Sequence, residues 1–536
     1  MDRASQLSDR QNSCLMVIFG ATGDLANRKL FPALYSLFRD GVLPEHFAVV
    51  GVARREKAPE EFRRDVWEAV RRYSRFEAGD ETWRDFSGRF YYLRSDLREP
   101  GTYGRLKGLL GELDERHGVP GNRIYYLAVA PEHFSPIVEN LAAAGLAVIR
   151  QGSRGEGSRG AAESGDGRES EQGSHLPGWQ RLVIEKPFGH DLASAESLNR
   201  QIRAVFDEEQ IFRIDHYLGK EMTQNIMVIR FANAFFEPVW NRRFIESIQI
   251  TSSETGGVED RGNYYEKAGA LRDMVQNHML QLLTMIAMEP PSSLQTEAIR
   301  DEKVKVLRSL KPMDPEEIRK NVVRGQYGAG AIKGQKVAGY RQEPKVGPAS
   351  DTETFVAMKL FVENFRWAGV PFYVRTGKRL PVKATEIVVQ FKSLPEILYF
   401  KEYGKLAPNL LVFRVSPQEG LFVRLNTKKP GTEDFIAPVA MDFCQKCEAE
   451  ANSPEAYERL LFDVMRGDST LFTRWDEVAL AWNFVDPMAR VWAEGAPAFP
   501  NYAAGSWGPE EQARLFEAGG GWWPVYGQEG AEKVLG

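Results

Sequence analysis

Between residues 14 and 206, short uninterrupted apolar runs recur: CLMVIFG, FAVVGV, RFYYL, RIYYLAV and RLVI. Helix-length amphipathic segments such as Arg28–Phe38 and Ser194–Phe206 separate them. A strand buried on both faces reads as a continuous apolar run, and strands that alternate with helices imply a mostly parallel sheet covered by helices. The pattern predicts a Rossmann-like α/β domain over residues 1–210. Beyond Phe206 the character changes. Apolar residues dominate Tyr264–Met288, which predicts one long helix. Alternating strands are predicted at Glu386–Lys392, Asn409–Val415 and Leu421–Lys428, close enough for antiparallel connections. Residues 211–536 are therefore expected to form an α+β domain with a large, mainly antiparallel sheet.

One stretch interrupts the first pattern. From Gln151 to His175, 12 of 25 residues are Gly or Ser, and the only apolar side chains are Ala161 and Ala162. Such a segment cannot bury enough surface to offset the entropy of ordering it. Residues 151–177 are expected to be a flexible surface insertion ahead of the strand Arg181–Ile184.

Composition narrows the function classes. Lys plus Arg number 69 against 74 Asp plus Glu, a formal charge of −5, so no global positive field recruits nucleic acid or a membrane. Any anion site must be a local cluster of basic groups. Three cysteines make no disulfide framework, and the C-x-x-C pair Cys444/Cys447 lacks the second pair or neighbouring histidine of a metal site. No metal is expected. No apolar leader precedes Cys14 and no run of about 18 apolar residues occurs, so a cytoplasmic protein is expected.

The first strand runs into Gly20-Ala21-Thr22-Gly23-Asp24-Leu25-Ala26 and then a helix. Small residues here let the backbone turn sharply and bring N–H groups and a helix N-terminus to a pyrophosphate. The spacing departs from G-x-G-x-x-G, but its place after the first strand favours a dinucleotide site. The second strand ends at Arg54-Arg55, where an arginine suits the 2′-phosphate of NADP and an acidic residue would suit NAD. A solvated arginine pair is the bland alternative.

Two later segments carry more chemistry. Glu185-Lys186-Pro187-Phe188-Gly189 follows RLVI, and Arg213-Ile214-Asp215-His216-Tyr217-Leu218-Gly219-Lys220-Glu221 follows a short apolar pair. The second places a carboxylate, an imidazole, a phenol and an ammonium within six residues, groups able to bind phosphate and steer protons. By itself it reads equally as a hydrogen-bonded surface turn. His278 shares a helical face with Met274 and Leu282 and reads by pattern as a core histidine. Asp273 lies five residues before it, about 140° away on a regular α-helix, so spacing does not put both in one site.

With these motifs on view, the chain closely resembles the glucose-6-phosphate dehydrogenases. RIDHYLGKE is that family's signature; GATGDLA, EKPFG, RDMVQNH, RTGKRLP and YAAGSWGP match as well, spanning about Val17 to Pro509. The resemblance implies oxidation of glucose 6-phosphate at C1 with NADP, the first step of the pentose phosphate pathway. It implies that His278 is the general base and Asp215 the carboxylate that orients it. His216, Tyr217 and Lys220 match residues gripping the 6-phosphate, Glu254 and Asp273 carboxylates holding sugar hydroxyls, and Lys378 and Lys383 basic residues closing the site. Lys186 matches the lysine between substrate and nicotinamide, Pro187 an interdomain hinge proline, and Asp96 and Leu97 part of the wall against the cofactor. The family's broad sheet packs between subunits, which implies a homodimer or homotetramer. Other sugar oxidoreductases share a Rossmann domain and an E-K-P motif, but would not be expected to carry RIDHYLGKE. An inactive NADP sensor could have lost His278, Asp215 or Lys186, and all three are present.

Replacing residues 151–177 with a short Gly/Ser linker should leave catalytic efficiency near that of the full chain, because the segment lacks core-forming residues. A collapse of efficiency in a variant with unchanged circular dichroism would show that it acts as a lid.

Overall fold

The computed structural model describes residues 12–77, 79–147, 178–395, 406–429, 431, 436–444, 455–495, 497–517, 520–525 and 528. The insertion expected at 151–177 and Cys447 lie outside them. Cys14 is a buried free thiol, whereas Cys444 is disulfide-bonded. The chain forms two compact units.

The first unit comprises Met1–Lys186, Glu196–Ile214 and Tyr457–Ser469. Its strands are β1 (Cys14–Phe19), β2 (Phe47–Ala53), β3 (Phe90–Arg94), β4 (Arg123–Leu127), β5 (Gln180–Ile184) and β6 (Ile211–Arg213). They form a sheet of order β3-β2-β1-β4-β5-β6, parallel at every pairing. All residues of β1, β2 and β4 are buried, as their unbroken apolar runs require. Each fully buried Val, Leu, Ile or Phe contributes about 1.5–3 kcal/mol. The order reverses between β1 and β4, and in sheets of this kind ligands bind beyond the carboxyl ends of the strands at that switch point. Residues 20–25, 54–55, 96–97 and 185–186 all follow the carboxyl ends of these strands.

A late segment completes this unit. In the helix Ala456–Arg466, the Glu458 carboxylate accepts from Arg75 Nε at 3.0 and 2.9 Å. Tyr457 and Tyr126 both donate hydroxyl hydrogen bonds to Glu185 Oε1, at 3.1 and 2.6 Å. Arg181 donates to the carbonyls of Val464 and Met465, both at 2.7 Å. These bonds fix the peptide that leads into Lys186.

The second unit comprises Pro187–Ala195, Asp215–Ala456 and Thr470–Gly536. Its large sheet uses β7 (Ile245–Ser253), β8 (Val322–Gly325), β9 (Phe355–Phe361), β10 (Pro371–Gly377), β11 (Ala384–Phe391), β12 (Leu410–Ser416), β13 (Gly420–Lys428) and β14 (Ile436–Cys444). The order is β14-β13-β12-β11-β7-β10-β9-β8. Only β7 and β10 pair in parallel, so the sheet is mixed and mostly antiparallel. An aromatic cluster that includes Tyr265, Tyr327, Tyr340, Phe355 and Tyr502 packs near the β8–β9–β10 end.

The single long helix expected over Tyr264–Met288 is three pieces. An α-helix, Gly262–Ala270, breaks at Gly269, where φ is 62° and ψ 178°. A π-helix, Leu271–Met279, follows, and then an α-helix, Leu280–Ala287. Apolar content predicted burial correctly. It carried no information on which backbone hydrogen bonds would form, so the break and the wider turn were not legible.

Candidate active site

The turn after β1 is shaped by contacts that exclude side chains. Gly20 has φ 86°, a left-handed conformation that suits glycine, and a Cβ there would stand 2.3 Å from the Ala128 carbonyl oxygen. Its N–H donates to Val52 O at 2.8 Å, and Gly23 N–H donates to Gly20 O at 2.9 Å. Ala21 is buried, Thr22 and Leu25 are half-buried and Asp24 is exposed at the helix start. Arg54 and Arg55 are exposed beyond β2, and Asp96 is exposed beyond β3 beside buried Leu97. The Leu97 carbonyl accepts from Tyr103 Oη at 2.8 Å. A close-packed glycine turn, a helix start and exposed arginines at the strand ends suit a dinucleotide. Lys186 ends the first of this unit's three segments, and Pro187 begins the first segment of the second unit.

The second unit gathers the residues of RIDHYLGKE around the π-helix. His278, 1% exposed, places Nδ1 2.5 Å from Asp215 Oδ1, and Asp215 is 2% exposed. Burial opposes ionisation of Asp215. The charge and hydrogen bond of the His278 ring, the nearby His216 and the Tyr217 N–H outweigh it, holding the carboxyl well below the usual range. An ionised carboxylate only accepts, so Nδ1 carries the proton and Nε2 is left as the basic nitrogen.

Two rings pack against this pair. Tyr217 stacks on His278 with centroids 4.2 Å apart and planes at 18°, and His216 meets His278 edge-on at 4.5 Å. Lys220 Nζ sits 4.1 Å from the centre of the Tyr217 ring. Burial raises the Tyr217 phenol to about 12, so it stays neutral; its hydroxyl lies 3.0 Å from Ser252 Oγ, which meets Thr385 Oγ1 at 3.2 Å.

Glu254 follows β7 directly and forms an ion pair with Lys378, which follows β10. The backbone enforces that pairing: Glu254 N–H donates to Gly377 O at 3.0 Å, and Leu380 N–H to Glu254 O at 2.9 Å. Lys378 Nζ also lies 5.0 Å from the centre of the buried Tyr265 ring. Asp273, 5% exposed, accepts from Tyr264 Oη at 3.0 Å. Lys383 is exposed in the connection to β11.

The π-helix overturns the 140° separation of Asp273 and His278. Its hydrogen bonds link residues five apart, so positions i and i+5 return to one face. The helical pattern reads His278 as a core histidine and the family resemblance reads it as the base; the residue is buried and paired with a carboxylate. Ser252, Thr385 and Tyr264 escaped the sequence reading, for each is an ordinary polar residue with no motif around it.

Comparison with known proteins agrees along nearly the whole chain. Residues 17–225 match the family described as glucose-6-phosphate dehydrogenase, NAD binding domain, and residues 227–524 its C-terminal domain. The glucose-6-phosphate 1-dehydrogenase of Bacillus subtilis (strain 168) is 49% identical over 519 residues, covering 97% of this chain and 100% of that protein. A glucose-6-phosphate dehydrogenase solved in complex with its substrate glucose-6-phosphate superimposes with a TM-score of 0.80 at 33% identity, covering 94% of this chain and 96% of that one. The Mycobacterium avium enzyme gives 0.77 at 35% identity, covering 96% and 99%.

The Asp215 shift has a signed consequence for stability. A carboxyl depressed by folding stabilises the native state above its unfolded value of about 3.9, and that contribution is lost as pH falls through the lower folded value. Wild type should therefore lose stability faster than Asp215→Asn as pH drops from about 5 to about 3. Urea denaturation of both proteins across that range measures it, and parallel curves would refute the assignment.

Proposed function

The chain belongs to the glucose-6-phosphate dehydrogenase family, and from that premise we propose that it oxidises D-glucose 6-phosphate at C1 to 6-phospho-D-glucono-1,5-lactone with NADP as acceptor. The observation that carries the proposal is the buried His278–Asp215 contact of 2.5 Å beside His216, Tyr217 and Lys220. In this reading the first unit binds NADP and the second binds the sugar phosphate and builds the oligomer.

NADP, when bound, supplies the hydride acceptor; the turn Gly20–Leu25, Arg54, Arg55, Asp96, Leu97 and Lys186 would hold it. His278 Nε2 takes the proton from the C1 hydroxyl, and Asp215 holds the ring in the required tautomer and stabilises the cation that forms. Placing both groups out of water strengthens that stabilisation. Lys220, His216 and Tyr217 grip the 6-phosphate, so binding energy far from C1 orients the reacting carbon. Glu254 and Asp273 hold sugar hydroxyls, with Lys186, Lys378 and Lys383 as the further basic groups of the substrate site. The ion pair already formed between Glu254 and Lys378 keeps each from drifting.

A homodimer or homotetramer belongs to the same reading. It is supported by Val439, Met441 and Phe443, exposed apolar residues of strand β14 at the sheet edge. A cytoplasmic location also belongs to it; among the described residues no helix is long and apolar enough to cross a membrane. The place of the reaction is the first step of the pentose phosphate pathway.

Steady-state assays with glucose 6-phosphate and each nicotinamide cofactor test the activity. His278→Asn should lower turnover by about 10²–10⁴-fold, the usual contribution of a general base, while both ligands still bind in calorimetry. Near-normal turnover would remove His278 as the base. For the cofactor, Arg54→Ala should raise the NADP Michaelis constant by about ten- to a hundredfold and leave that for NAD little changed, as loss of a charge-assisted contact requires. Equal losses for both cofactors would mean that Arg54 does not read the 2′-phosphate.

A further inference from the structure

The π-helix that carries Asp273 and His278 begins at a break, and one buried side chain spans that break. Gly269 leaves the preceding helix with φ 62° and ψ 178°, so the helical hydrogen-bond ladder does not run through it. The first N–H groups of any helix lack partners within the helix. Here Ala270 N–H donates to the main-chain carbonyl of Glu353 at 3.0 Å, and Leu271 N–H donates to its side-chain Oε1 at 2.9 Å. Glu353 is 6% exposed and stands two residues before β9. The fit is close, for a Cβ on Gly269 would stand 2.2 Å from the same Oε1.

The next residue ties this anchor to the other side of the site. Thr354 O accepts from Lys378 N–H at 2.9 Å, and Tyr502 Oη donates to Lys378 O at 2.9 Å while meeting Thr354 Oγ1 at 2.9 Å. Two consecutive residues therefore hold the start of the π-helix and the backbone of Lys378. All of these groups belong to the second unit. A helix is rigid along its length but rotates as a whole when its first turn slips, and one residue of slip on an α-helix is about 100°. A smaller rotation already separates His278 from Asp215.

We propose that Glu353 is a positioning residue for the catalytic base: by accepting the first two free amides after Gly269 it sets the rotational register in which the π-helix presents Asp273 and His278. This rests on the reading of His278 as the base. Burial raises the Glu353 carboxyl above its ordinary value, against the hydrogen bond from Leu271; glutamine keeps a side-chain oxygen that can accept from the Leu271 amide.

The test compares Glu353→Ala with Glu353→Gln in the full-length protein. The alanine variant should lose turnover on the order of a hundredfold, as misplacement of a catalytic group by about an ångström does, and should also raise the Michaelis constant for glucose 6-phosphate, because Asp273 turns with His278. Glutamine should restore most of the turnover. Hydrogen exchange followed by mass spectrometry should show faster exchange across Leu271–Met279 in the alanine variant and near-native protection in the glutamine variant. In a His278→Asn background the further effect of Glu353→Ala on turnover should be far smaller, because most of it acts through His278. Should His278→Asn prove active, the base assignment falls while the exchange data still decide whether Glu353 anchors the helix. Wild-type turnover in Glu353→Ala with only a lower Tm, equal damage in both Glu353 variants, or full additivity with His278→Asn would overturn the proposal.

Discussion

A buried hydrogen bond between an imidazole and a carboxylate constrains how the second unit can close. His278 Nδ1 and Asp215 Oδ1 approach to 2.5 Å with both side chains almost wholly out of water. Burying a carboxylate is costly unless donors compensate it, and removing one partner of such a pair leaves an uncompensated group. Around Asp215 the compensation is specific: the His278 ring, the Tyr217 amide at 2.9 Å and the nearby His216 ring. The segment after Ile214 must therefore pass close to the π-helix, and the π-helix must face it with residue 278. The stacking of Tyr217 on His278 and the seat of Lys220 above Tyr217 follow from that approach.

The helix that carries this contact departs from α geometry. A regular helix would turn Asp273 and His278 about 140° apart, whereas here His278 meets Asp215 and Asp273 meets Tyr264 from a single π-helix. The π-helix closes the gap at the expense of a rarer backbone arrangement. Such arrangements persist where surrounding structure over-determines them and are concentrated at functional sites. Gly269 permits the break, Glu353 receives the amides the break releases, and Tyr264 steadies Asp273.

The two units solve different problems. In the first, long-range packing fixes a parallel sheet whose carboxyl ends collect the glycine turn and the two arginines. In the second, β7 and β10 deliver Glu254 and Lys378 side by side, because their parallel register sets Ser253 beside Gly377. The chain also returns late to the first unit, where Glu458 meets Arg75 and Tyr457 meets Glu185 across some of the longest sequence separations in the fold.

Much of this was readable in one dimension. Continuous apolar runs announced β1, β2 and β4, because a strand covered on both faces admits few polar residues. Alternation of apolar and polar positions located β11, β12 and β13 within a residue or two. Motif resemblance supplied His278, Asp215, Lys220 and Glu254 before any geometry existed. Tertiary structure alone decided the rest. Nothing in residues 264–288 distinguishes an α-helix from a broken helix with a π segment, since apolar content reports burial and not hydrogen-bond partners. Ser252, Thr385, Tyr264 and Glu353 bear no local mark, for their significance comes from neighbours distant in the chain. Local chemistry and pattern are written in the sequence, whereas the facing of one side chain to another depends on contacts that exist only once the chain has closed on itself.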